Sequence, residues 1–312
     1  MPKFVHTLRS LIKSALNLVG LLEPAMSVYR WIAEQRFRRY YSQRDRYEVQ
    51  IHGREIVFST EDGYSGRWFF PRYDGWIHEP KTTELLARLS QEAENIIDVG
   101  ANLGWFSCIA ASISDGTVHA FEMDEDNLHL LNTNITLNGL QNVSVNHAAV
   151  TNSKGHVSYW KEPGSAGVTH SFVRENEGKQ ERVQVEATSL DRYTEDHCQS
   201  VELIKIDAEG AAQKVLEGGE QTIREFRPHI LLEVHPSPLA SLNTSPRKVL
   251  SALPDTYRIY RVENFRGGGE LGEQPINLST FDPDQISVLY AEPSAAPLTD
   301  FPPLAGPLYE FP

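Results

Sequence analysis

Asn95-Ile96-Ile97-Asp98-Val99-Gly100-Ala101-Asn102-Leu103-Gly104 decides the fold of this chain. A short β-branched run carrying one acid meets a loop with two glycines, and Trp105–Ser114 then repeats apolar residues at helical spacing. Strand, glycine loop and helix in that order form the opening unit of an open parallel sheet. The glycines allow a tight turn and close approach of a ligand to the backbone, while free amides at the helix start can meet a carboxylate or phosphate.

Working outward, further strands are expected at 117–121, 143–148, 201–207, 229–234, 257–262 and 286–290, with helices near Glu125–Asn138, Ala211–Phe226 and Pro246–Leu253. That alternation makes the chain an α/β protein. Strand-like alternation in Gly155–Trp160 and Arg182–Ala187 flanks the long loop Glu162–Lys179, which reads as a lid or a substrate wall. Upstream, Tyr47–Ser59 alternates around His52-Gly53 as a hairpin does. Tyr64, Trp68, Phe69, Phe70, Tyr73 and Trp76 then lead through His78-Glu79-Pro80 into a helical pattern over Thr82–Leu89. These aromatics have two readings, stacking on a sugar or packing between the accessory segment and the sheet. Six prolines after Glu292 predict an extended or disordered tail. The expected division is an accessory segment over 1–90, the main domain over 91–292 and a tail over 293–312.

The net charge of −13 argues against nucleic acid as a partner, because a phosphate backbone would be repelled by the averaged surface. Cys108 and Cys198 are the only cysteines, which suggests neither a disulfide framework nor a cysteine zinc site and fits a reducing, cytoplasmic compartment. Met1–Tyr41 carries seven basic residues against Glu23 and Glu34, a basic arm on an acidic body. Within it Leu8, Leu11, Ile12, Ala15, Leu18, Val19 and Leu22 recur at helical spacing. Such a helix either packs on the main domain or makes peripheral membrane contact through residues 3–39, and both readings stay open. Asn17, Glu23 and Pro24 interrupt it too early for a spanning segment.

Spacing narrows the ligand of the loop. A dinucleotide fingerprint needs three glycines as G-x-G-x-x-G, whereas Asp98, Gly100 and Gly104 read D-x-G-x-x-x-G with Asn at 102. This favours S-adenosylmethionine over NAD. Glu122, eighteen residues after Gly104, ends the second strand, where an acid can accept hydrogen bonds from both ribose hydroxyls.

With those residues goes a wider pattern: Phe121-Glu122 followed by Asn127, Ala149-Val150, Ser189-Leu190-Asp191, Ile204-Lys205-Ile206-Asp207-Ala208-Glu209-Gly210, Val215-Leu216-Glu217-Gly218 and Leu232-Glu233-Val234-His235-Pro236. In this order and spacing the chain resembles the FkbM family of class I methyltransferases, from about His78 to Tyr290. The resemblance implies a Rossmann-like seven-stranded sheet of order 3-2-1-4-5-7-6 with an antiparallel last strand. It implies S-adenosyl-L-methionine as cofactor and chiefly O-methyl transfer, often to hydroxyls of sugars or secondary metabolites. Asp98, Gly100, Asn102 and Gly104 would hold the methionine moiety, Glu122 the ribose, and Asn146 to Ala148 would border the adenine. The strand end at Asn146 lacks the acid that many methyltransferases carry there.

The fourth strand should end beside the first, at the switch point where ligands bind in such sheets. Lys205 and Asp207 share one face by two-residue periodicity, as do Glu233 and His235 on the next strand. Methyl transfer to a hydroxyl requires alignment of the oxygen and removal of its proton, so Asp207, Glu209 and His235 are candidate bases with Lys205 beside them. Trp76, Glu79 and Glu233 are candidate acceptor-binding residues. Structural readings stand next to these: Asp207 or Glu209 capping the helix near Ala211, and Lys205 neutralising a buried carboxylate. No metal is assigned, since the sequence places no second carboxylate securely beside Asp207. The leading expectation is an O-methyltransferase acting on a sugar, glycan or glycolipid hydroxyl. The alternatives are methylation of a carboxylate or peptide amide, and a non-catalytic protein that binds an adenosine ligand.

Overall fold

The computed structural model describes residues 45–60, 77–161, 180–263, 270–281, 283, 285–297 and 309–310. Trp76 and the other aromatics at 64–73, the basic arm, the loop 162–179 and most of the tail lie outside these residues.

The main sheet holds β3 (Asn95–Val99), β4 (Thr117–Glu122), β5 (Val143–His147), β9 (Leu203–Ile206), β10 (His229–Val234), β11 (Tyr257–Glu263) and β13 (Ser287–Pro293). Its order is β5-β4-β3-β9-β10-β13-β11, which is 3-2-1-4-5-7-6 counted along the chain, and β13 runs antiparallel to both neighbours. The two-residue β12 (Glu270–Leu271) adds an eighth strand at the β11 edge. Alternation sorts the strand residues between two cores. Ile96, Leu203 and Leu231 face one, while Ile97, Ile204, Ile206, Leu232 and Val234 face the other.

The first core is closed by α1 (Pro80–Ser90), α2 (Trp105–Ile113) and the hairpin of β1 (Arg46–Ile51) and β2 (Arg54–Ser59). His52 and Gly53 both take positive φ, 48° and 72°, as a tight two-residue hairpin requires. The free side of β2 is met by asparagine amides from α3 (Glu125–Leu137) and its cap. Asn138 accepts from Val57 N at 2.8 Å and donates to Val57 O at 2.6 Å, while Asn134 accepts from Ser59 N at 2.8 Å. Two amides one helical turn apart thereby stand in for a neighbouring strand, which satisfies an edge that would otherwise be left unpaired. On the other side, Tyr309–Glu310 pair with β1 as β14, so the tail returns to the hairpin.

The second core is closed by α4 (Leu190–His197), α5 (Ala212–Glu217), α6 (Glu220–Phe226), α7 (Pro236–Ser241) and α8 (Pro246–Leu250). The single helix expected over Ala211–Phe226 is two, broken at Gly218-Gly219. A Cβ on Gly218 would lie 2.1 Å from Thr151 O, so the glycine lets another segment's backbone pass there. The short α4 and α7 carry too few residues to reveal a period and were not expected. The strand expected over Val143–Ala148 ends at His147. β6 (Ala149–Val150) then leaves the main sheet to join β8 (Glu181–Thr188) and β7 (Gly155–Lys161) in a separate three-stranded sheet. Both cysteines are free, and no helix among the described residues is long and apolar enough to cross a membrane.

Candidate active site at the carboxyl ends of the strands

The glycine loop closes on β4. Gly100 and Ala101 donate to Phe121 O at 3.0 and 2.9 Å, and the Asn102 amide donates to Glu122 Oε2 at 2.8 Å. Gly100, Asn102 and Gly104 take φ of 82°, 52° and 92°. For Gly100 the requirement is doubled, because a Cβ would stand 2.0 Å from Asp207 O. The loop after β3 and the turn after β9 therefore touch through backbone, and the two sequence motifs form one site. Leu103 O accepts from Asn134 Nδ2 at 2.6 Å, which ties the loop to α3 as well.

Asp98 and Lys205 are register partners on adjacent parallel strands. Lys205 Nζ lies 3.5 Å from Asp98 Oδ1 and 3.7 Å from Asp207 Oδ2, and stands 4.7 Å from the centre of the Phe106 ring. Ser107 donates to Asp98 Oδ2 at 2.6 Å. Burial works against the Lys205 charge, but Asp98, then Asp207, Glu233 and Glu79, outweigh it and hold the ammonium above the ordinary lysine range. Burial also works against the Asp207 carboxylate. Lys205 and then His235 outweigh it, and its pKa falls well below the usual carboxylate range.

His235 gathers the remaining acids. Its Nε2 is 3.3 Å from Asp207 Oδ1 and 3.6 Å from Glu233 Oε1, and its Nδ1 is 3.5 Å from Glu209 Oε1. The imidazole is buried, whereas the Asp207 side chain remains 31% exposed, the most exposed member of the cluster. The N-cap of α5 is Ala211, whose own side chain cannot cap the helix. The neutralising reading of Lys205 fits the geometry, since the lysine sits between two carboxylates. Asp207, Glu233 and His235 each offer one ligand atom, all within 4.8 Å of one another. The second carboxylate that the sequence left unplaced is thus Glu233, although Lys205 already supplies a cation to Asp207.

Glu79 is buried at the left-handed N-cap of α1, with φ 43°, and its side chain reaches the electrostatic surroundings of Lys205. His78 packs edge-on against Trp105 and tilted against Phe106, and its charge also acts on Asp207. His78, Phe106 and Ser107 were not singled out from the sequence. His78 opens the His78-Glu79-Pro80 turn, but Phe106 and Ser107 look like any apolar helix start. Asn146 stands beside Phe121 in the register of β5 with β4, and its amide donates to Ser144 O at 3.0 Å. Ala148 follows it, half-buried, at the exit to the small sheet.

Residues 98–262, just over half of the chain, match the methyltransferase FkbM domain. The chain belongs to the FkbM methyltransferase family. Among solved structures the chain is similar to an FkbM methyltransferase from Methylobacillus flagellatus, at 19% identity and TM-score 0.39, over 64% of this chain and 43% of that one. It thus spans less than half the length of that relative. It is also similar to an rRNA methylase from Streptococcus thermophilus (11% identity, 68% and 94% of the two chains, TM-score 0.40). A third likeness is to TYW2 from M. jannaschii in complex with AdoMet (14%, 81% and 89%, TM-score 0.38). No curated protein matches the chain.

Proposed function

We propose that this FkbM methyltransferase uses S-adenosylmethionine to O-methylate a hydroxyl of a sugar, glycan or glycolipid, with His235 as the base. The observation that carries the reading is the backbone contact of Gly100 with Asp207, which sets the glycine loop against the His235 cluster. Asn102 Oδ1 is buried and accepts no hydrogen bond, so the loop holds an acceptor atom suited to a cationic amino-acid group. Glu122 has the position of a ribose acid, at the end of β4, where its register partner on β5 is His147. When bound, the cofactor supplies a methyl group activated by a sulfonium charge.

Each member of the cluster then has a distinct task. Asp207, held anionic by Lys205, is a poor proton acceptor but a good hydrogen-bond acceptor for Nε2–H of His235. In that tautomer, assigned from the contact, Nδ1 is the basic nitrogen. The imidazolium formed by proton uptake is stabilised by Glu209, Asp207 and Glu233, all within 3.6 Å. Lys205 stays protonated and fixes Asp98 and Asp207, so its role is electrostatic. Glu79 and Glu233 are the proposed orienting groups for the acceptor hydroxyl, and Trp76 a proposed acceptor contact.

The test is transfer of labelled methyl from S-adenosylmethionine to a glycan or glycolipid fraction, with mass spectrometry of the product. Label that is lost on mild alkali would mark an ester and overturn the hydroxyl assignment. Binding of NAD without S-adenosylhomocysteine would overturn the cofactor. Because Lys205 provides the cation beside Asp207, turnover is expected to survive dialysis against EDTA. Loss of turnover that Mg²⁺ restores would instead make Asp207, Glu233 and His235 a metal site.

A further inference from the structure

We propose that Tyr159 and Lys161 of the small sheet are positioning residues for the ribose acid Glu122, acting through Asp124; this rests on the reading of Glu122 as a ribose acceptor. The small sheet stands apart from the main one, yet the inward side chains at the end of β7 reach back to the turn after β4. Asp124 is fully buried there. Its Oδ1 caps α3 by accepting from Asp126 N and Asn127 N at 3.0 and 3.1 Å. The other oxygen, Oδ2, accepts from Tyr159 Oη at 3.0 Å and pairs with Lys161 Nζ at 2.8 Å, and Lys161 also pairs with Asp126 Oδ2 at 2.5 Å.

The clamp passes on through backbone. The Asp124 amide donates to Glu122 Oε1 at 2.8 Å, while Asn102 N takes the other oxygen at the same distance. Both carboxylate oxygens of Glu122 are thus set by amides, one belonging to the glycine loop and one to a turn that β7 holds in place. Burial and then the Asp124 charge keep the Tyr159 phenol protonated, so it remains a donor to the aspartate. Lys161 is 9% exposed and neutralises a carboxylate that would otherwise be costly at that depth.

The experiment measures affinity of the full chain for S-adenosylhomocysteine and for its 2′-deoxy analogue by calorimetry, in the natural protein and in Tyr159→Phe, Lys161→Met and Lys161→Arg. The natural protein should prefer the hydroxylated ligand by roughly ten- to a hundredfold, as one hydrogen bond to a charged group implies. In Tyr159→Phe and Lys161→Met that preference should shrink toward one, and Lys161→Arg should restore it. A merely structural role lowers melting temperature and weakens both ligands equally, so an unchanged preference in the variants overturns the proposal. Should Lys161→Met fail to fold, Tyr159→Phe and Lys161→Arg still decide the question. If the natural protein binds neither ligand, the cofactor reading fails and the relay falls with it. Discrimination by the natural protein that both variants keep sinks the relay alone.

Discussion

Gly100 shows how much one residue can decide. Its φ of 82° and the 2.0 Å approach of a Cβ to Asp207 O leave no room for alanine, and the obstacle is backbone that cannot rotate away. Gly100→Ala is expected to push the loop off the turn after β9. Activity should fall at least a hundredfold, as near-attack geometry is sensitive to shifts of about 1 Å, and melting temperature should fall as well. A variant with normal turnover would mean the two loops need not touch. His235 and Asp207 separate differently. His235→Gln removes the proposed base and should lower turnover by roughly 10²–10⁴, whereas Asp207→Asn keeps a hydrogen-bond acceptor and should cost less. Equal turnover of His235→Gln and the natural protein, measured with a hydroxyl acceptor, would reject the assignment. The pairing of Asp98 with Lys205 could not be read from the sequence, because it depends on the register between strands more than 100 residues apart.

At the scale of elements, Asp191 gives the Ser189-Leu190-Asp191 stretch a structural explanation. Its carboxylate accepts from Gln221 N at 3.1 Å and Thr222 N at 2.7 Å, so it caps α6 from a distance of thirty residues in sequence. Ser189 meanwhile caps its own helix α4 by accepting from Arg192 N. Asp191→Ala should therefore cost about 0.5–2 kcal/mol of stability, the usual range for a lost N-cap, and leave turnover at permissive temperature unchanged. A matching drop in turnover would place Asp191 in the site after all. The strands of the main sheet and α2 and α3 were legible because their periods run long enough to show, and the glycine loop carried its own conformational demand. The break at Gly218-Gly219 was not, since it answers to Thr151 O in another part of the chain. Nor was the asparagine pair that closes β2, where Asn134 and Asn138 look like ordinary polar helix residues. The candidate site was legible as a set of residue types on neighbouring strand ends. Its internal pairing and the contribution of His78 needed tertiary contacts that no local pattern encodes.

For the molecule as a whole, buried ionisable groups meet two contrasting settings. At the carboxyl ends of the strands Lys205 and Asp207 stabilise each other's charged forms. Toward the opposite end, His119 and His229 are buried and held neutral. His119 contacts Tyr193 Oη at 2.9 Å and Asn95 Oδ1 at 3.1 Å, and His229 contacts Tyr290 Oη at 2.7 Å. Burial, joined for His119 by the charge of His197, lowers both to about 4. Both groups therefore titrate below an ordinary histidine near 6.5. Between those values the unfolded chain binds more protons than the folded one, so stability must rise with pH across that window. The slope is at most about 1.4 kcal/mol per pH unit for each histidine. Lys205 does not contribute there, because a raised lysine keeps its stabilisation until alkaline pH. Asp207 loses its own only as pH falls below the ordinary carboxylate range. Ordinary carboxylates are largely ionised above pH 5, which makes pH 5–6.5 the interval that isolates the histidines. Urea denaturation across it should show midpoints rising toward pH 6.5 and levelling above pH 7. In His119→Gln/His229→Gln the slope should flatten even if stability is lower throughout. A double variant with an undiminished slope would show that these two imidazoles are protonated alike in the folded and unfolded chain.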